Sequence, residues 1–416
     1  MNAAVQAARL GLPRANPLFP HIHFNAAGAS PSDVSVVETI TRHLTLETQI
    51  GGYAAAQQVQ AQTDAIYEST AALLNAPSPS TIALHDSSTT SFNHGIYSVP
   101  LSSSSLILSA SSSEYASNAI SVISHSSSKS ALPPVFLPNL LDSGGVDLPS
   151  LSEELSRPDR TVAAVVLTHA PTNGGIVNDA VAVGELIASL PNPPLYLLDA
   201  CQTVGQVPLD VQELRCDVLA GTSRKWLRGP RGVGFMYVSP TAHEKGLLPP
   251  AAPDLAGATW QPGLESYELT AEGARQYEYW EGSVANKLGF GRAVDLALEV
   301  GIPEIQERIH FLSTLTRAQL SSEAGLRCMD ALDAGAGSRS GICSFDVSPI
   351  GPAAYVVDEL MKRNVSVSTS GKTSTLADAT LRELPDVMVR FSPHYFNTEE
   401  EVQRVVAAVQ SIPRVA

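Results

Sequence analysis

The stretch PLYLLDACQTVGQVPLDVQELRCDVLAGTSRKW, residues 194–226, sets the topology of the chain. It holds two short apolar runs, PLYLLDA at 194–200 and CDVLAGT at 216–222, each closing on a polar side chain. Runs of this length between turn residues read as strands buried on both faces. A third run, VAAVVLTHA (162–170), precedes them, and NDAVAVGELIASL (178–190) in between has helical spacing. Strand, helix and strand at this interval form a βαβ unit, so a mostly parallel sheet with right-handed crossovers is expected. GVGFMYVS (232–239) follows as a further strand. Ligands on such sheets sit beyond the carboxyl ends of the strands. That rule draws His169, Asp199 and residues 222–225 together.

Outward from this centre, the serine-rich segment 101–130 keeps apolar runs that make LILSA a strand and EYASNAISVISHSSS the start of a helix. Beyond about residue 290 the pattern changes to two helices (290–320) and then three short strands, GICSFDVS (341–348), VSVSTS (365–370) and VMVRFSP (387–393). TEEEVQRVVAAVQSI (398–412) is a final helix with Thr398 as its cap and acids in its first turn. This C-terminal third is an α+β domain. The expected division is an N-terminal arm (1–24) packing with the small domain, a large domain (25–289) and a small domain (290–416). Length, at 416 residues, agrees with two domains, and 44% hydrophobic with 16% charged residues is a globular composition. A net charge of −15 argues against nucleic acid and anionic membrane as partners. The four cysteines show no metal spacing and read as reduced thiols of a cytoplasmic protein. No apolar run approaches the roughly 20 residues of a membrane span.

On this acidic chain, four cations between Arg224 and Arg231 ask for a local cause. Asp199 closes one strand, and Lys225 is placed by the sequence at the end of the next. Taken singly, they read as a turn cap and a surface charge. On neighbouring strand ends, a carboxylate and an amine suit a pyridine-type cofactor: the amine forms an imine with an aldehyde, and the carboxylate keeps the ring nitrogen protonated.

LLDACQTVGQVPLDV together with CDVLAGTSRKWLRGPRGVGFMYV resembles the fold-type I pyridoxal-phosphate enzymes of the class V aminotransferase family. The resemblance runs from FNAAGAS (24–30) to VRFSPHYFNTEEEV (389–402). It implies a large domain with a mostly parallel seven-stranded sheet, a smaller α+β domain, pyridoxal 5'-phosphate as cofactor and a homodimer with shared active sites. Residue by residue, it implies that Lys225 holds the cofactor and moves the Cα proton. Asp199 pairs with the ring nitrogen, and Gln202 lies at the phenolic oxygen or imine. Ser88, Thr89 and Thr222 would hold the phosphate, with Ser283 reaching the phosphate of the neighbouring subunit. An ordinary helix cap is the other reading of Ser88 and Thr89. Tyr115 falls where relatives carry a histidine stacked on the ring; here it would stack and also donate a proton to a leaving group. Thr172 falls where relatives have asparagine. Arg390 would bind the substrate α-carboxylate, with Asn25 and Ala27 lining the same pocket and Tyr53 as a further candidate. Arg224 would touch the phosphate, while Arg228 and Arg231 stay open between ligand contacts, subunit contacts and surface charge.

The family supports elimination, desulfuration, epimerisation, transamination and C–C bond formation, so fold alone does not choose. Persulfide-forming desulfurases carry a cysteine on the loop before the arginine strand, and residues 365–386 contain none. ETQIGGYAAA (47–56), THAPTNGGIVN (168–178) and SPHYFNTEEE (392–401) resemble the subgroup of hercynylcysteine sulfoxide lyases. The resemblance therefore implies a C–S lyase acting on a cysteine-conjugate sulfoxide. The alternative is another reaction of the same family in a specialised pathway.

Overall fold

The computed structural model describes residues 21–140, 143–263, 265–330, 339–375 and 385–415. The strand β1 (Ile22–His23) is followed by the large-sheet strands β2 (Ile82–His85), β3 (Ser105–Ser109), β4 (Val135–Phe136), β5 (Thr161–Thr168), β6 (Leu195–Asp199), β7 (Val218–Thr222) and β8 (Gly234–Val238). They form one seven-stranded sheet in the order β2-β8-β7-β6-β5-β3-β4. The fold is α/β, and this sheet is mostly parallel. Alternation within each strand splits its side chains between two apolar layers. Leu106, Leu108, Val165, Leu167, Tyr196, Leu198 and Leu219 enter one core. Ile107, Ala164, Val166, Leu195, Leu197, Val218 and Ala220 enter the other. A period of two with both sets buried is what makes the runs continuously apolar.

One strand departs from the parallel pattern. β8 runs antiparallel to both of its neighbours, β7 and β2. Its connection from β7 contains no helix. A parallel return needs a longer crossover, so the chain turns back beside the strand it has left. Lys225 also shifts: β7 ends at Thr222, so the lysine sits in the turn and not on the strand.

A second, antiparallel sheet has the order β11 (Arg327–Cys328), β12 (Cys343–Asp346), β15 (Val387–Phe391) and β14 (Ser368–Gly371). Cys328 lies on β11. The hairpin β9 (Ala258–Gln261) and β10 (Ser266–Leu269) stands apart from both sheets. Helices Val284–Val300 and Ile302–Ser322 and the closing helix Glu399–Gln410 appear as the spacing predicts. Thr398 caps the last of these in a reciprocal capping box with Glu401.

Ile22 and Phe24 join the core of the second sheet, and β1 pairs in parallel with β13 (Val365–Ser366). The rest of the N-terminal arm, residues 1–20, lies outside the described residues. Arg228 and Trp226 knit the turn after β7 to the segment after β15 and to Pro31. The Arg228 guanidinium donates to Tyr395 Oη at 2.7 Å and to the Pro31 carbonyl at 3.2 Å. It also lies 5.0 Å from the centre of the Phe396 ring. His394 Nδ1 accepts the Tyr395 N–H at 2.8 Å, so Nε2 carries the proton and donates to the Trp226 carbonyl at 3.0 Å. Arg228, left open by sequence, is therefore a buried latch beside the lysine turn. Arg231 is exposed.

Candidate active site

The strand ends place a cleft where the topology rule puts it. Ser88, Thr89, Tyr115, Thr172, Asp199, Gln202 and Lys225 line it together with Asn118, Thr168, Ala170, Cys201 and Arg224. Eight of the residues singled out by sequence, Arg224 among them, thus meet in one place. Asp199 is buried at the end of β6; its Oδ1 accepts the Cys201 N–H at 2.8 Å and its Oδ2 accepts from Asn118 Nδ2 at 2.7 Å. Gln202 is locked from both ends, since Nε2 donates to the Ala27 carbonyl at 3.1 Å and Oε1 accepts from Trp226 Nε1 at 3.0 Å. This pins the FNAAGAS segment to the turn that carries the lysine. Gly205, at φ +87°, makes room for the turn, because a Cβ there would lie 2.7 Å from the Trp226 carbonyl carbon.

Lys225 is partly exposed to the cleft. Desolvation lowers its pKa below the ordinary lysine value; Cys201 and Asp199 oppose this, and Arg224 and Arg390 push the same way. A lowered pKa raises the share of free amine near neutral pH, the form that attacks a carbonyl or takes a proton.

The helix Ser88–Ser98 begins at the cleft. Its cap is Ser87, whose hydroxyl accepts the Thr90 N–H at 3.1 Å. Ser88 and Thr89 are therefore the first helical residues and not the cap, and their N–H groups belong to the unpaired first turn that attracts anions. Gly234 allows this approach: a Cβ there would lie 2.2 Å from the Ser87 carbonyl carbon and 2.3 Å from the Ser88 nitrogen. Gly234→Ala is expected to destabilise the protein by about 1–3 kcal/mol and to weaken cofactor binding. Thermal melts and a pyridoxal phosphate titration check both.

Arg390 stands on β15 and reaches the cleft edge, donating from NH1 to the Thr172 carbonyl at 3.2 Å and from NH2 to Ser368 Oγ at 3.3 Å. Its Nε is buried without a partner. Desolvation lowers its pKa to about 10, helped by Arg224 and opposed by Tyr115. Thr375, from the segment after β14, pairs with the backbone of Tyr115. Thr222 is buried at the tip of β7 behind the turn. Ala27 is buried and its N–H donates to Ser392 Oγ at 3.1 Å, while Asn25 Oδ1 is buried without a partner. Arg224 lines the cleft, but its guanidinium donates to the Gly28 carbonyl. Ser283 and Tyr53 do not line this cleft. Ser283 is the exposed cap of helix Val284–Val300, and Tyr53 is 85% exposed.

Residues 22–405 match the aminotransferase class-V family. The chain belongs to that family. A probable hercynylcysteine sulfoxide lyase of Mycobacterium tuberculosis is 27% identical over 95% of this chain and 91% of its own length. A probable cysteine desulfurase of Methanothermobacter thermautotrophicus is 28% identical over 65% of each chain. Among solved structures, the cystine C–S lyase C-DES, in a variant with glycine covalently linked to its PLP cofactor, superposes with a TM-score of 0.82. Its identity is 22%, and the match covers 97% of this chain and 99% of that one.

As a class-V enzyme the protein uses pyridoxal 5'-phosphate, and the residues present fit that group. A helix N-terminus with two hydroxyls is available for a phosphate. A hydrogen-bonded carboxylate is available for a protonated ring nitrogen, and an amine of lowered pKa for the aldehyde. The unpartnered guanidinium nitrogen of Arg390 has a use once a carboxylate is bound. Sequence reading missed Glu114, Asn118 and Thr168. Glu114 precedes Tyr115, the cap of helix Ala116–Ser128, and Asn118 lies in the first turn of that helix; no helical spacing links the two.

Proposed function

We propose that this class-V enzyme is a C–S lyase that cleaves the Cβ–S bond of an S-substituted cysteine S-oxide of the hercynylcysteine type by β-elimination. The observation that carries this reading is the composition of the stretch before the Arg390 strand. Residues 365–375 meet the site through Ser368 and Thr375, and the sequence 365–386 holds hydroxyls and no thiol. Residues 376–384 lie outside the described residues. A desulfurase needs a thiolate there to take the sulfur, and the cysteines nearest in sequence, Cys343 and Cys328, belong to the small sheet. Burial raises the pKa of both.

In this reading Lys225, Asp199, Gln202, Ser88, Thr89 and Thr222 hold the cofactor, which when bound draws electrons from the substrate Cα and so acidifies its proton. Arg390 grips the α-carboxylate as a fork, with Asn25 and Ala27 beside it. Lys225 takes the Cα proton. The Cβ–S bond breaks with its electron pair leaving on sulfur as a sulfenate, and Tyr115 supplies a proton to that oxygen. The released 2-aminoacrylate takes up water to give pyruvate and ammonia. Residues 25–289 are then the cofactor domain and 290–416 the domain that carries Arg390. A homodimer completes the site, with exposed Ser283 serving the phosphate of the second copy. Other class-V reactions are distinguished by product.

The test incubates purified holoenzyme with S-substituted cysteine S-oxides and with free cysteine, and measures pyruvate, ammonia and alanine. Pyruvate and ammonia in equal amounts from the S-oxide are expected. Alanine with protein-bound sulfur from cysteine would place the enzyme with the desulfurases, and a racemised or transaminated product with the remaining family reactions.

A further inference from the structure

Glu114 is fully buried, and the proposed reaction gives it no part. Burying a carboxyl is costly unless its oxygens are satisfied. If filling space were its purpose, an apolar side chain of that size would serve at lower cost. Its oxygens are instead enclosed from three elements. Oε1 accepts from Asn118 Nδ2 at 2.8 Å, from the Thr168 hydroxyl and from the Tyr115 N–H at 3.3 Å. Oε2 accepts the Thr168 N–H at 3.0 Å and lies 3.4 Å from Ser109 Oγ. The Ser109 hydroxyl donates to the Ser111 carbonyl at 2.8 Å.

Asn118 has one amide nitrogen with two hydrogens. One goes to Glu114 and the other, at 2.7 Å, to Asp199 Oδ2. The Thr168 hydroxyl, held by Glu114, accepts the Tyr115 N–H at 3.1 Å. One carboxyl thus holds the partners of both Asp199 and Tyr115, the groups assigned to the ring nitrogen and the ring face. We propose that Glu114 is a positioning residue: through Asn118 it fixes the Asp199 carboxylate, and through Thr168 it fixes the backbone at Tyr115. Desolvation raises the Glu114 pKa to about 7, Asp199 adds to this, and the bonds from Thr168 and Asn118 oppose it. The proposal rests on Asp199 belonging to the cofactor site, and not on which reaction follows.

Glutamine keeps the volume of Glu114 but turns one acceptor into a donor. It must then oppose the N–H of either Asn118 or Thr168. The test is a double-mutant cycle on the dissociation constant of pyridoxal phosphate from apo-protein, using wild type, Glu114→Gln, Asp199→Asn and the pair. Circular dichroism checks that each is folded. Glu114→Gln is expected to weaken binding about tenfold in the wild-type background and less than about twofold beside Asp199→Asn. The visible absorption of the bound cofactor is expected to change its pH midpoint in Glu114→Gln. Equal losses in both backgrounds, or an unmoved midpoint, would mean that Glu114 serves folding alone and would overturn the proposal. Unchanged affinity in Asp199→Asn would overturn the cofactor-site assignment of Asp199 and the proposal with it. Should Glu114→Gln not fold, Asn118→Ala runs the same cycle with the same expected coupling.

Discussion

Replacing Lys225 by alanine is expected to lower kcat by about 10⁴-fold or more, because a single amine serves as both the covalent anchor and the base. The loss is local. Arg224, Arg228 and Arg231 stay in place, and each has its own setting: a bond to Gly28, a buried latch onto Tyr395, and open solvent. Stability is expected to move the other way. The pKa of Lys225 is lowered in the folded chain, so folding costs free energy wherever the unfolded chain holds that proton. The cost is fully present below the folded pKa and vanishes above the unfolded one. At neutral pH the apo variant should therefore unfold at an equal or higher urea concentration than apo wild type. Steady-state product assays check the first statement and paired urea melts the second.

Arg390→Ala is expected to reduce kcat/KM by about 10²–10³-fold, the usual cost of removing one partner from a desolvated charge pair. Arg390→Lys should recover only part of it. The ammonium keeps the charge but cannot present two parallel N–H groups, nor reach the Thr172 carbonyl and Ser368 from one planar head. The discriminating measurement compares a cysteine S-oxide with its decarboxylated analogue. Wild type is expected to prefer the carboxylate strongly, whereas Arg390→Ala should treat the two within a few-fold. A preference that survives in the alanine variant would move the carboxylate site elsewhere.

The large sheet was legible because its strands are buried on both faces, so each is a continuous apolar run. The direction of β8 was not, since an apolar run carries no direction. The signal was the connection from β7, which is too short for a crossover helix. Asp199 and Lys225 were legible as chemistry because the sequence sets a carboxylate and an amine beside neighbouring strand ends, and Gln202 was legible only through the family motif. Their partners were harder to see. Glu114 sits in a serine-rich stretch where one acid reads as a helix-start residue. Its value comes from Thr168 at the end of another strand and from Asn118. The role of Arg228 depends on Tyr395 and Phe396, far along the chain, and no local pattern announces that pairing. Ser283 and Tyr53 entered by resemblance, and in the single chain neither reaches the cleft.

The most direct measurement is borohydride reduction of the holoenzyme followed by peptide mapping. The chain has six lysines: Lys129, Lys225, Lys245, Lys287, Lys362 and Lys372. Of these, Lys225 alone lines the cleft with Asp199. One pyridoxyl group per chain, on the peptide that contains Lys225, is the predicted result. A label on any other lysine, or none on a protein that holds its cofactor, would contradict the assignment of this cleft.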